Sequence, residues 1–191
     1  MEETRVVNIY TESNPNPNSL KFVANFMLMP AGESQDFPNI EETNEAPLAK
    51  GLFEKFSYVK RVFYMSNFIT VTKDESVEWH EVKSEIQGYV KQYLESGESI
   101  FTAALAVPDA SPDEPEIETR IKDILDEYIK PAVEMDGGAI SFESFNEGKV
   151  KVQLQGSCSG CPSSTVTLES GIENLLKRMV PEVQEVEAEG V

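Results

Sequence analysis

The sequence predicts an α+β protein of two small domains. Strand-like and helical periodicities succeed one another as ββαββα through residues 1–97 and as αββαβ through residues 116–191. Between them, residues 98–115 hold three prolines and four acids with no basic residue, the composition of a linker. A chain of 191 residues with 40% hydrophobic content is long enough to bury two cores of modest size.

The first domain opens with a strand over residues 4–10, and Asn14-Pro-Asn-Pro-Asn18 then forces a proline-constrained turn. A second strand follows over 19–28, where Leu20, Phe22 and Ala24 alternate. Residues 30–46 contain Pro, Gly and several acids without periodicity and are expected to form a loop. Leu48, Leu52, Phe53 and Phe56 share one face of a short helix whose first turn suits Pro47. Residues 58–64 and 68–72 are rich in β-branched and aromatic types, and the Ser66-Asn67 break between them predicts a hairpin. Trp79, Val82, Ile86, Tyr89, Val90 and Tyr93 then recur at helical spacing, with the helix ending near Gly97.

In the second domain Ile117, Ile121, Ile124, Leu125, Tyr128 and Ile129 form a helical stripe. Pro131 is expected to kink its last turn, and Asp136-Gly137-Gly138 to stop it in a left-handed C-terminal turn. Residues 140–145 and 149–155 make a hairpin about a turn at 146–148, with Val150, Val152 and Leu154 on one face. Val166, Leu168, Ile172, Leu175, Leu176 and Met179 mark the last helix. A short strand over 183–186 closes the domain, and the acids at Glu182, Glu185, Glu187 and Glu189 form a solvated edge.

Acidic residues number 34 against 16 basic, for a net charge of −18. With no basic stretch, neither nucleic acid nor an anionic membrane is an expected partner. Soluble partners with basic patches fit, as does the plain reading that the acidity keeps the chain soluble. No run of 18 apolar residues occurs, and the N-terminus is acidic from Glu2, so neither a span nor a signal peptide is legible. The expected location is the bacterial cytoplasm, or an organellar matrix if the chain is processed.

The two cysteines of the chain sit together as Cys158-Ser-Gly-Cys161, between the second strand of a hairpin and a helix. That placement is expected to aim both sulfurs outward at the positive end of the helix dipole, which favours thiolates. Pro162 suits the first helical turn, and Gly156 and Gly160 leave room for a bulky group near the backbone. Thiolate metal sites usually take four protein ligands, so a metal centre here needs ligands from a second molecule. The one histidine, His80, lies in the other domain, so no zinc set is available within one chain. Spacing alone leaves three readings open: an intermolecular metal or cluster site, a redox dithiol, and inert cysteines.

The string Met135-Asp-Gly-Gly, the hairpin, Gly156-Ser-Cys-Ser-Gly-Cys-Pro-Ser-Ser-Thr-Val-Thr-Leu168, Gly171-Ile-Glu173 and Val180-Pro-Glu-Val183 closely resemble the C-terminal domain of the NifU family. Asn14-Pro-Asn-Pro-Asn-Ser-Leu-Lys-Phe22, Pro47-Leu-Ala-Lys50 and Phe68-Ile-Thr-Val-Thr72 resemble the Nfu N-terminal domain. The resemblance implies an Nfu-type iron-sulfur protein that is not an enzyme. Such a protein would be a carrier and scaffold that holds a [4Fe-4S] cluster, or a [2Fe-2S] one, between two chains. By the same resemblance Cys158 and Cys161 of each protomer are the ligands, in a cluster-bridged homodimer. The other implied partners are cluster assembly factors and the apo iron-sulfur proteins that receive the cargo. A thiol-disulfide oxidoreductase using the same pair is the alternative.

Overall fold

The computed structural model describes residues 6–30, 32–102, 115–159 and 162–190, for 162–164 the backbone alone. The chain divides into two compact units, 1–106 and 107–191, and the architecture is α+β in both.

The first unit is a five-stranded antiparallel sheet in the order β1-β2-β5-β4-β3. Its strands are β1 (Ile9–Ser13), β2 (Ser19–Ala24), β3 (Ser34–Phe37), β4 (Val59–Met65) and β5 (Phe68–Lys73), with helices α1 (Pro47–Lys55) and α2 (Trp79–Glu95). Register follows the apolar alternation: Phe22 lies opposite Ile69 and Val62 opposite Val71. All four are in the core with Leu48 and Leu52 of α1 and Ile86 and Val90 of α2. The two helices approach closely at Gly51, where a Cβ would sit 2.0 Å from the Tyr89 hydroxyl. At the predicted hairpin, Ser66 takes a left-handed φ of 48° and its carbonyl accepts from the amides of Leu28 and Met29 at 2.7 and 2.9 Å. The proline-rich turn is held by Trp79, whose indole Nε1 donates to the Pro17 carbonyl at 3.1 Å.

The loop expected over 30–46 instead contains β3 and a 3-10 turn, Ile40–Thr43, capped by the Asn39 side chain, which accepts from the Glu41 and Glu42 amides. β3 is an edge strand of four residues in which Phe37 alone is buried, so it carries no alternation to read. It is secured by Asp36, which accepts a forked pair of hydrogen bonds from Arg61 on β4, with Nε to Oδ1 at 2.9 Å. Residues beyond α2 continue in this unit: the Phe101 ring meets Tyr64 edge-on at 5.7 Å, and the Thr102 amide donates to the Glu45 carbonyl at 2.9 Å.

The second unit starts with a continuous helical stretch made of α3 (Glu116–Ile124), a π turn (Leu125–Ile129) and α4 (Lys130–Met135). The irregularity expected at Pro131 takes the form of this π turn directly before it, with Pro131 the second residue of α4. Proline lacks the N–H for an i−4 bond and crowds the preceding turn, and one wider turn immediately upstream relieves both problems. Strands β6 (Gly138–Asn146) and β7 (Lys149–Gly156) form the predicted antiparallel hairpin, and α5 (Pro162–Met179) connects β7 to a parallel third strand, β8 (Glu185–Gly190). Val150, Val152 and Leu154 all point into the core, against Ile121, Ile172 and Leu176. β8 starts later than the sequence pattern indicates because the Gln184 and Glu185 amides are both captured by the Gly148 carbonyl, at 2.6 and 3.2 Å. Its outer acids are paired: Lys149 reaches Glu187 at 3.0 Å, and Lys151 reaches Glu187 and Glu189 at 3.7 Å.

Candidate functional site: a cysteine loop on a glycine shelf

Cys158 lies in a tight turn, Ser157–Ser159, that leaves the end of β7 at Gly156. Gly156 has φ of 67°, a left-handed conformation that glycine adopts at little cost and that swings the chain out of the sheet. Cys161 and Gly160 lie outside the described residues, so the second predicted ligand is not placed. Pro162 is the first residue of α5, where its missing N–H is not needed.

The turn rests on the end of α4. Ser157 donates through its hydroxyl to the Asp136 carbonyl, and through its amide to the Gly137 carbonyl at 3.3 Å. Gly137 terminates the helix with φ of 80°, its own amide bonded to the Glu134 carbonyl at 3.0 Å. Gly138 then starts β6 directly opposite Gly156. A Cβ at Gly138 would lie 2.9 Å from Cys158 Sγ and 2.5 Å from the Gln155 carbonyl oxygen. The cysteine side chain therefore occupies the volume that any larger residue at 138 would fill.

This geometry corrects one expectation. Cys158 does not project into solvent: it is 6% exposed and belongs to the core cluster of the second unit. The reason is local. Two bonds from Ser157 pull the turn down onto the α4 terminus, and the next side chain folds over the bare backbone of Gly138.

The Asp136–Gly138 segment is therefore more than the helix stop that the sequence indicates. The signal was present, because a left-handed C-terminal residue requires one glycine and the chain supplies two. His80, in the first turn of α2, is exposed and belongs to the first unit. Among the described residues no three His, Cys, Asp or Glu side chains converge.

The second unit is a small α+β domain in which the chain runs from β7 through Cys158 toward α5, and the first is a separate five-stranded sheet unit. The sequence model described as "Scaffold protein Nfu/NifU N terminal" matches residues 9–97, and that of the "NifU-like domain" matches residues 121–187. NifU-like protein 5, mitochondrial, of Arabidopsis thaliana is 44% identical over 195 residues, covering 99% of this chain and 70% of the relative. The NFU1 iron-sulfur cluster scaffold homolog, mitochondrial, of Drosophila willistoni is 41% identical over 185 residues, covering 96% of this chain. The chain spans 64% of that Drosophila relative's length. Among solved structures, a solution NMR structure of a NifU-like protein from Saccharomyces cerevisiae aligns at 28% identity and a TM-score of 0.48, covering 55% of this chain and 92% of that one.

The chain belongs to the Nfu/NifU family of iron-sulfur cluster scaffold proteins. The Drosophila relative is named as a scaffold, and the oxidoreductase alternative gains no support from the relatives' names.

Proposed function

We propose that this protein carries an iron-sulfur cluster as cargo, held between two copies through Cys158 and Cys161 of each, and delivers it to apo iron-sulfur proteins. The observation that carries this reading is the seating of Cys158 at the strand-to-helix junction of a chain with two cysteines in all. One chain cannot complete a four-thiolate site, and a second copy supplies the missing pair. The cargo on this reading is a [4Fe-4S] cluster.

The residues present fit such cargo. Two glycines at the base of the turn keep side chains away from the sulfur, and the helix that starts at Pro162 directs its dipole toward the loop. Because Cys158 is tucked under the turn, its sulfur meets iron when the turn lifts from the Asp136 and Gly137 carbonyls. Loading and release are both coupled to that movement. The second domain, residues 116–191, is the cluster-binding one, and the first, residues 1–97, meets recipient proteins or assembly factors.

The mitochondrial relatives favour an organellar matrix over a bacterial cytoplasm as the working compartment. No helix among the described residues is long and apolar enough to cross a membrane.

Anaerobic loading with iron and sulfide tests the reading. Four iron and four sulfide per two chains, with dimerisation on loading, is the expected result, and Mössbauer spectra identify the cluster type. Unchanged iron content and unchanged mass in Cys158→Ser would refute it. Catalysed insulin reduction by the metal-free protein would restore the dithiol alternative.

A further inference from the structure

We infer that a cleft at the β3 edge of the first unit receives an arginine side chain of a partner protein. The inference rests on the reading that this unit meets recipients or assembly factors, and it uses no residue of the cysteine loop. The cleft has a volume of about 330 Å³. Gln35 and Phe37 of β3 line one side, Glu42, Asn44 and Glu45 from the 3-10 turn and its exit line another, and Phe101 beyond α2 completes the wall. Gln35 lies opposite Tyr64 and Phe37 opposite Val62, both core positions, so the cleft opens on the core side of the sheet. β3 is an edge strand, and no further strand among the described residues closes that side.

The occupant follows from the chemistry of the lining, which carries negative charge and no positive charge. Residues 30–46 contain five acids and no basic residue. Asp36 is committed to Arg61, whereas Glu42 and Glu45 are exposed and neither carboxylate joins an ion pair among the described residues. Asn44 gives its side-chain N–H to the Glu41 carbonyl at 2.9 Å and keeps its amide oxygen as an acceptor. Phe37 is buried at the floor, and half-buried Phe101 presents ring surface; both meet the buried Tyr64 ring edge-on, at 5.0 and 5.7 Å. Acceptors set beside aromatic rings select a cation that is planar, weakly hydrated and rich in donors, which describes a guanidinium. The compact ammonium of lysine is more strongly hydrated and offers no flat face to a ring. A divalent metal ion would find two carboxylates here and no third acidic, histidine or cysteine ligand. The net charge of −18 steers a basic partner toward this surface.

An NMR titration of the isotope-labelled full chain with the blocked peptide acetyl-Thr-Val-Arg-Val-Thr-amide tests the inference. The same peptide with citrulline in place of arginine keeps the shape and removes the charge. The expected result is saturable shifts at Gln35, Glu42, Glu45 and Phe101, with binding at least about tenfold weaker for the citrulline peptide and for the arginine peptide on the folded Glu42→Gln/Glu45→Gln double variant. Equal binding of the two peptides, shifts centred elsewhere or no saturable binding overturns the inference. A metal-free wild type that self-associates, and becomes monomeric in the double variant, makes the occupant a second copy and overturns the partner assignment. Cluster transfer to an apo acceptor separates this inference from the reading beneath it, and slower transfer from the double variant is expected. A double variant that loses the peptide yet transfers at the wild-type rate leaves the arginine cleft standing and overturns the reading that this unit meets recipients.

Discussion

Replacing Gly138 by alanine isolates the role of the shelf under Cys158. The added methyl would lie 2.5 Å from the Gln155 carbonyl oxygen, 2.9 Å from Cys158 Sγ and 3.3 Å from Cys158 Cβ. Ordinary contact begins near 3.4 Å, so the carbonyl must retreat by about 0.9 Å and the sulfur by about 0.5 Å. The carbonyl belongs to the β6/β7 ladder, in which Gln155 faces Ala139, and it yields poorly. The cysteine turn is the softer neighbour, tied to the shelf by the two Ser157 bonds. Overpacking of this kind costs about 1–3 kcal/mol, and the turn should take up most of the displacement. The expected outcome is a urea midpoint shifted by that amount, with faster reaction of Cys158 toward a thiol reagent and altered cluster retention. Gly138→Ala with wild-type stability and wild-type thiol reactivity would refute the argument, because it would mean that the sulfur does not occupy this space.

Other outcomes follow from the same coordinates. Ser157→Ala removes the hydroxyl bond to the Asp136 carbonyl and should cost about 1–2 kcal/mol while speeding thiol labelling of Cys158; unchanged labelling would show that the turn is held otherwise. Ile172→Ala, in a fully buried position of α5, should destabilise by about 2–5 kcal/mol in chemical denaturation. Tyr64 has a buried hydroxyl without a hydrogen-bond partner among the described residues; burial holds it well above the ordinary tyrosine value, and the nearby Ala49 amide pulls it down without reaching bonding geometry. Tyr64→Phe should therefore be neutral or stabilising, and a loss above about 1 kcal/mol would reveal a partner. Asp74 accepts from Ser76 and faces Lys60, which lowers its pKa to about 2 from 3.8. Its contribution is complete above the unfolded value and disappears as pH falls through about 2, which NMR titration of the carboxyl checks.

Legibility in the sequence followed the strength of local periodicity. β7 could be read to within one residue because Val150, Val152 and Leu154 alternate without interruption and all three are buried. β3 could not, because an edge strand with one buried residue is specified by a distant partner, and the Asp36–Arg61 bond joins positions 25 residues apart. The end of β8 escaped for a similar reason: Glu187 and Glu189 read as a solvated edge beyond a strand ending at 186, yet they lie within β8, paired with Lys149 and Lys151 on the neighbouring strand. The cysteine motif was visible as spacing, but the burial of Cys158 was not. It depends on Ser157 meeting the Asp136 carbonyl across 21 residues, a contact that no local pattern encodes.

That burial bears on how a carrier holds and releases its cargo. A thiolate pair fully exposed at a helix start would exchange ligands with any passing thiol and would be open to oxidation. A pair locked in the core would bind without release. Cys158 is buried at 6% exposure beneath a turn whose holds include the Ser157 hydroxyl bond, the Ser157 amide bond at 3.3 Å, the Ser159 amide bond to the Gly156 carbonyl at 3.2 Å and a left-handed glycine at its base. Each such bond is worth about 0.5–1.5 kcal/mol and biases the turn toward the tucked state. On the carrier reading, binding to iron would offset that bias, so that loading lifts the turn and loss of the cluster lets it fall back over the sulfur. On the carrier reading, the shelf therefore protects the metal-free thiol without blocking transfer, and weakening it should raise the rates of loading and of thiol oxidation together.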